Sequence, residues 1–500
     1  MKTFLRHNIL LAVSLSVLLL FAIYVYVDTT GFYTHIETAA LWVREWFGTF
    51  YLWLGLGCVF FILAISLSPF GKRKLGPPNA VPEFSRGAWI AMLYSAGMGA
   101  GILLRAVQEP VFMQQHPPIS TGNPVEVVAL EYTFYQWGFT AWAFYGLFAL
   151  ILGYYLYNSQ TPVRMSATLG QNKSPSIWTK LSKGSIDSLT IVTTVFGLIG
   201  AIALGTTQIN GGLNHLFETD FGLGTTIALT LTISLLAFVS VWSGMHKGIK
   251  IISTWNIYVT LAILLYIFAQ SDVLSVLSNF VQSLYHYLLD FVPLSIATAP
   301  YDPGKAFLTD WTYYYWAFWL AWAPFTGVFI ARISKGRSLR ELLIGVLLIP
   351  SLGTFFWFSV FGTSAFDVIK DWGSYNSEFG NVFSSIFVFF EQYPGAGILN
   401  VIPLLLLISF LVTSVDSAVF VLSMFTDKGK VDPSKKHRLI WSLCLAVFSV
   451  AIILLGNARA DVDVLVALQK LLIITSLPFA LFIILMVLLF LRHLSRKPKQ

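Results

Sequence analysis

The chain has 500 residues, of which 56% are hydrophobic and only 11% charged, with a mean hydropathy of +0.73 and a net charge of +7. A soluble domain carries roughly 25% charged residues, because polar groups must cover its surface. That balance excludes a soluble enzyme, a disordered chain and a secreted disulfide scaffold; the two cysteines, Cys58 and Cys444, lie in apolar runs and form no metal pattern.

Twelve apolar runs are long enough for bilayer-spanning helices. They lie near 8–28, 48–70, 86–109, 128–158, 186–210, 222–244, 248–270, 310–332, 341–366, 396–424, 437–456 and 463–491. The first is too long for the apolar region of a signal peptide and has no small-residue cleavage site, so it is expected to be retained. Lys and Arg alternate between the connecting loops. One side carries 25 of the 31 and the other only Arg44, Lys305, Lys370 and Arg459, while Arg105 and Lys470 fall within runs. Cytoplasmic loops are the basic ones, so both termini are expected in the cytoplasm of a multi-pass plasma-membrane protein. Topology accounts for these charges without any nucleic-acid partner. Residues 272–298 mix apolar and polar positions at helical spacing and predict an amphipathic helix along the outer interface; residues 381–392 suggest another.

Within the third run, Ser95-Ala-Gly97-Met98-Gly99-Ala-Gly101 places three glycines in five positions. Each weakens a helix by roughly 1 kcal/mol. An unwound stretch is tolerated in a membrane where it lines a cavity, although Gly97 and Gly101 also fit close helix packing. The eighth run holds Pro324 and Gly327. With the first two helices set aside, runs 3–7 and 8–12 form two halves of five, each starting with an expected interruption. That pattern points to an inverted-repeat transporter with a midplane site.

In the fourth run Trp137, Trp142 and Tyr145 can face one cavity at 100° per residue. In the eighth run Trp316, Trp319 and Trp322 recur every three residues. Interfacial belts lie at helix ends, whereas these rings are central; core filling stays open beside a cation–π cage. Such a cage suits a quaternary ammonium group, which has no N–H to donate. In the tenth run Thr413-Ser414-Val-Asp416-Ser offers hydroxyls suited to Na⁺, although such hydroxyls also bond back to their own helix.

Together these segments resemble the betaine/choline/carnitine transporter family. The resemblance is carried by Gly97-Met-Gly-Ala-Gly101 with Glu109-Pro110, by Gln136-Trp137-Gly-Phe-Thr-Ala-Trp142-Ala-Phe-Tyr145, by Trp311 to Arg340, and by Thr413-Ser414-Val-Asp416-Ser, and it covers roughly residues 50–490. It implies an all-α membrane protein of twelve helices with a LeuT-like fold. Residues 1–80 would hold a tail and two peripheral helices, 81–271 the first repeat, 272–309 the outer helix, 310–493 the second repeat and 494–500 a tail. It further implies that Trp137, Trp142, Tyr145 and Trp319 form the ammonium cage. Met98 with the Gly97 and Gly99 backbone would line the substrate site, and Trp322 and Phe325 would border the pathway. The Ser95, Met98 and Phe410 carbonyls and the Thr413 and Ser414 hydroxyls would bind Na⁺ as the coupling ion, with no other cofactor. The segment near 272–298 resembles the helix that holds the family's trimers together.

Arg105 departs from the pattern, which usually has an aromatic residue there. Its simplest reading is an ion pair with Glu109 at i+4; a coupling role is the alternative, and Arg105, Glu109 and Asp416 are the candidate coupling or structural charges. Phe318 replaces a tryptophan beside the cage, and Thr140 stands where the family often has histidine. In the fifth run, Phe196 to Gly205 lacks the hydroxyls often seen near a second cation site, which argues against two-sodium coupling. The expected function is import of glycine betaine, choline or carnitine by Na⁺ symport. The alternatives are a cation-independent or proton-coupled exchanger and a non-transporting sensor. A membrane enzyme would need a charged catalytic cluster in the runs, and none appears.

Overall fold

The computed structural model describes residues 8–97, 99–169, 176–243 and 246–495, with 95–97 and 246–250 described by their backbone alone. Among the described residues there is no β-strand beyond one isolated bridge, Lys74 to Ser338. The helices are α1 (Ile9–Val27), α2 (Thr29–Leu67), α3 (Arg86–Gly97), α4 (Ala100–Arg105), α5 (Gln108–Gln115), α6 (Val125–Trp137), α7 (Phe139–Tyr157), α8 (Ile177–Phe217), α9 (Gly222–Ser243) and α10 (His246–Gln270). They continue with α11 (Val273–Ile296), α12 (Tyr313–Ile333), α13 (Leu339–Trp372), α14 (Ser385–Phe390), α15 (Ala396–Thr426), α16 (Lys435–Leu455) and α17 (Val464–Ser495).

Eleven helical segments among the described residues are long and apolar enough to cross a membrane, and each overlaps one of the twelve predicted runs. The remaining run, 86–109, is divided among α3, α4 and the start of α5, so no single piece has spanning length. Gly99, in extended conformation (φ −142°, ψ −173°), precedes α4. The predicted interruption of this run is therefore present. The second run was expected to begin near 48, but α2 starts at Thr29. The Asp28 side chain accepts the Gly31 N–H at 2.8 Å and caps that end. Hydropathy marks only the apolar part of such a helix.

Two expectations about breaks need correction. The eighth run is continuous through Pro324 and Gly327 in α12; its irregular turn is a π-helical stretch, Leu308–Thr312, at its start. Gly327 serves close packing instead, since a Cβ there would lie 2.4 Å from the Phe148 Cβ on α7. Conversely, the fourth run breaks at Gly138, between α6 and α7. The Tyr287 hydroxyl of α11 accepts the freed Phe139 N–H at 2.9 Å, replacing the water that lipid cannot supply. A Cβ on Gly138 would meet the Phe134 carbonyl oxygen at 2.5 Å, the Phe355 ring at 2.6 Å and the Tyr287 hydroxyl at 2.7 Å. Gly138→Ala is expected to destabilise the protein by about 1–3 kcal/mol through this overpacking, read as a lower melting temperature in detergent.

The predicted amphipathic helix at 272–298 is α11, capped by Asp272 through the Leu274 and Ser275 N–H groups. It buries Val276, Ser283, Tyr287, Phe291 and Leu294 against α6 and α13, and exposes Leu274, Val281, Tyr285, Leu288 and Val292. The second such segment differs from expectation. α14 is only six residues long and buries Ile386, Phe387, Phe389 and Phe390. Its aromatic side chains pack inward against α4, α8 and α15, because they have no polar face to turn to an interface.

The loops assigned to the basic side do meet at one end of the bundle. Arg337 donates to the Phe84 carbonyl at 2.9 Å, Arg340 to the Ser66 carbonyl at 2.7 Å, and the Asn158 side chain to the Lys74 carbonyl at 3.0 Å. The four cations of the opposite side include Arg44, paired with Asp310 at 3.9 Å, and Arg459, paired with Glu37 at 3.2 Å. Lys470, which falls in a predicted run, joins the same Glu37 at 2.5 Å.

Candidate functional site

α7 and α12 pack against each other along their length, flanked by α8, α13 and α17. Small residues on the shared faces, Gly327 among them, bring the backbones close. The rings beside that seam then turn into a cavity of about 650 Å³. Gly99, Trp137, Trp142, Tyr145, Trp319, Trp322, Phe325, Phe410, Thr413 and Ser414 all line it. Of the other residues proposed from sequence, Met98 lies outside the described residues, and only the backbone path of Ser95 and Gly97 at the end of α3 is described. Among the described residues, none lining this cavity carries a formal charge.

The rings form a connected set. Trp137 and Trp319 meet edge to face with centroids 5.1 Å apart, Tyr145 and Trp319 at 6.2 Å, and Trp142 and Tyr145 at 5.3 Å. Phe318 and Trp322 continue the wall at 6.1 Å, and Trp322 and Phe325 at 5.5 Å. The Trp319 indole N–H donates to the Gln136 carbonyl at 2.9 Å, the acceptor freed by the Gly138 break, and this fixes its plane. The tryptophan stripe divides: Trp319 and Trp322 face the cavity, while Trp316 is fully buried with its indole nitrogen over Gly55 of α2.

Behind the cage stands Glu109, with no solvent exposure. Its carboxylate accepts the Trp137 indole N–H at 3.2 Å and the Tyr315 hydroxyl. Tyr315 is stacked on Trp319 at 5.6 Å. Arg105 lies 3.8 Å from the same carboxylate, as the i+4 spacing predicts. It also donates to the Gln108 side chain at 2.6 Å and sits over the Trp311 ring at 4.9 Å. Arg105, Gln108, Asp310, Trp311 and Asp463 line a second hollow of about 380 Å³. A buried layer of Glu109, Tyr315 and Trp137 thus separates an uncharged aromatic cavity from a charged hollow at the opposite end.

The Thr413 hydroxyl donates back to the Ser409 and Phe410 carbonyls at 2.9 and 3.1 Å. Its hydrogen is committed to its own helix, and its lone pairs are left for a hard cation. Asp416 stands apart from the cavity wall and accepts the Ser240 hydroxyl at 3.2 Å. Sequence reading missed Tyr315 and the Glu109 hub. The signal was available, since Tyr315 stands one turn before Trp319 on the same helical face.

A family model described as the BCCT, betaine/carnitine/choline family transporter, matches residues 9–499. Among individual relatives, the chain is similar to the glycine betaine transporter OpuD of Bacillus subtilis, with 35% identity over 93% of this chain and 90% of that one. It is 31% identical to an ectoine/hydroxyectoine transporter of Virgibacillus pantothenticus over 91% of this chain and 90% of that one. It is also 31% identical to the high-affinity choline transport protein of Escherichia coli, over 88% of this chain and 65% of that longer one.

Proposed function

The chain belongs to the betaine/carnitine/choline family of transporters, and from that premise we propose that it imports a small quaternary ammonium solute, of the glycine betaine or choline type, together with Na⁺. It is a multi-pass membrane transporter and not an enzyme. The observation that carries the reading is the ring set of Trp137, Trp142, Tyr145 and Trp319 around one uncharged cavity. A trimethylammonium head presents only polarised C–H groups. Ring faces attract it at about 0.5–2 kcal/mol each when desolvated, whereas an unpaired carboxylate in this cavity would bear the cost of losing its water.

The cavity also reaches Phe84 and Phe329, beside the loops rich in Lys and Arg. This supports an arrangement open to the cytoplasm, with both termini on that side and the Glu109 layer closing the outer path. Alternating access would then open that layer and close the basic end. The two five-helix repeats at 81–271 and 310–493, with a LeuT-like arrangement, are part of the same proposal. So is a homotrimer that uses the exposed apolar stripe of α11.

For the coupling ion, Phe410, Thr413 and Ser414 line the cavity on α15, opposite the broken α3–α4 segment. Arg105 lines the other hollow, so no fixed positive charge among the described residues substitutes for Na⁺ at this position. That favours symport over cation-independent exchange. The double change Thr413→Ala and Ser414→Ala is expected to abolish the stimulation of uptake by an inward Na⁺ gradient in proteoliposomes. Undiminished Na⁺ stimulation in that variant would remove these hydroxyls from the coupling site.

A further inference from the structure

Among the polar side chains of this cavity that have no role in the cage or the cation site, one has both ends of its amide unpaired. Gln208 on α8 lines the cavity, is fully buried, and has neither its amide nitrogen nor its amide oxygen hydrogen-bonded. Leaving a buried donor or acceptor unmade costs about 1–3 kcal/mol, so an orphaned amide on the wall of a binding cavity calls for a partner from the occupant. α8 packs against α4, just after the break at Gly99, and Gln208 and Gly99 line the same cavity. No arginine or lysine lines the cavity among the described residues, so the anionic end of a zwitterion has to be met by neutral donors.

We propose that Gln208 is a specificity-determining residue that donates its amide N–H to the carboxylate of a betaine-type substrate, while the rings hold the ammonium head. The inference rests on the cage reading above and goes beyond it in assigning the polar end. A hydrogen bond to a charged group is stronger than one to a neutral group. Gln208 therefore favours a carboxylate tail over a hydroxyl tail, and glycine betaine over choline.

The test compares wild type with Gln208→Met, which keeps the length of the side chain and removes both orphaned atoms. Three probes are used in proteoliposomes: labelled glycine betaine, labelled choline, and tetramethylammonium as a competitor that has only the head. The expected result is a rise of about 10- to 100-fold in the apparent KM for glycine betaine. Choline should weaken less, and inhibition by tetramethylammonium should not change. Melting temperature in detergent should hold or rise, since two unsatisfied atoms are gone. A Gln208→Met protein that keeps its betaine KM, weakens all three probes equally, or melts lower in step with lost binding would overturn the proposal. Gln208→Glu gives a second reading: it puts an acceptor where the donor stood and should reject glycine betaine while sparing choline. If tetramethylammonium fails to compete even in wild type, the cage reading falls, and the assignment of Gln208 falls with it.

Discussion

Glu109→Ala is expected to lower stability by about 3–5 kcal/mol, the usual cost of removing one partner from a buried ion pair. Three groups lose their acceptor at once. Arg105, itself almost fully buried, keeps the Gln108 side chain, the Trp311 ring and the more distant Asp463 across the hollow. The Trp137 indole N–H and the Tyr315 hydroxyl are left pointing at an empty space. The damage should spread to binding, because Trp137 and Tyr315 both contact Trp319. Glu109→Gln keeps an oxygen acceptor and the volume but removes the nearest counter-charge of Arg105, so it should fall between wild type and alanine. A melting series of wild type, Gln and Ala in detergent checks the order. Equal melting of all three would mean that the carboxylate bears no structural load.

The second large effect is on recognition. Trp319→Ala is expected to raise the apparent KM for a trimethylammonium substrate by about 30-fold, which corresponds to roughly 2 kcal/mol for one desolvated ring. Lost packing would also destabilise the protein by about 3–5 kcal/mol, so alanine alone cannot separate binding from folding. Trp319→Phe and Trp319→Leu together can. Both shrink the side chain and lose the indole bond to the Gln136 carbonyl, but only phenylalanine keeps a ring face. Phenylalanine should retain most of the affinity and leucine should lose it. Equal KM values for the two would mean that the ring contributes as apolar volume and not through its electrons.

Much of this arrangement was legible in the residue order. Eleven of the twelve apolar runs and the interruption near Gly97-Met-Gly99 follow from hydropathy and glycine clustering, while the grouping of Trp137, Trp142, Tyr145 and Trp319 was what the family resemblance implied. The runs converge because polar backbone in lipid forces helices, and helices force side chains into faces. What escaped depends on partners far away in the chain. The break at Gly138 needs the Tyr287 hydroxyl from α11 to receive the freed amide, and nothing near residue 138 announces Tyr287. Pro324 looks like a break, yet α12 runs through it, because one lost backbone bond is tolerable in a helix packed on all sides. The start of α2 at Thr29 was hidden because hydropathy reports where a helix is apolar and not where its cap lies. Gln208 sits among Thr206, Thr207 and Asn210 at the end of the fifth run, and only the cavity wall gives it meaning.

The measurement closest to the central claim is uptake of radiolabelled glycine betaine and choline into proteoliposomes, with and without an inward Na⁺ gradient. Accumulation above equilibrium that requires the Na⁺ gradient, and that tetramethylammonium inhibits, is the result expected from a ring cage beside a Thr413–Ser414 cation site. Uptake indifferent to Na⁺, or no uptake of either compound, would contradict it.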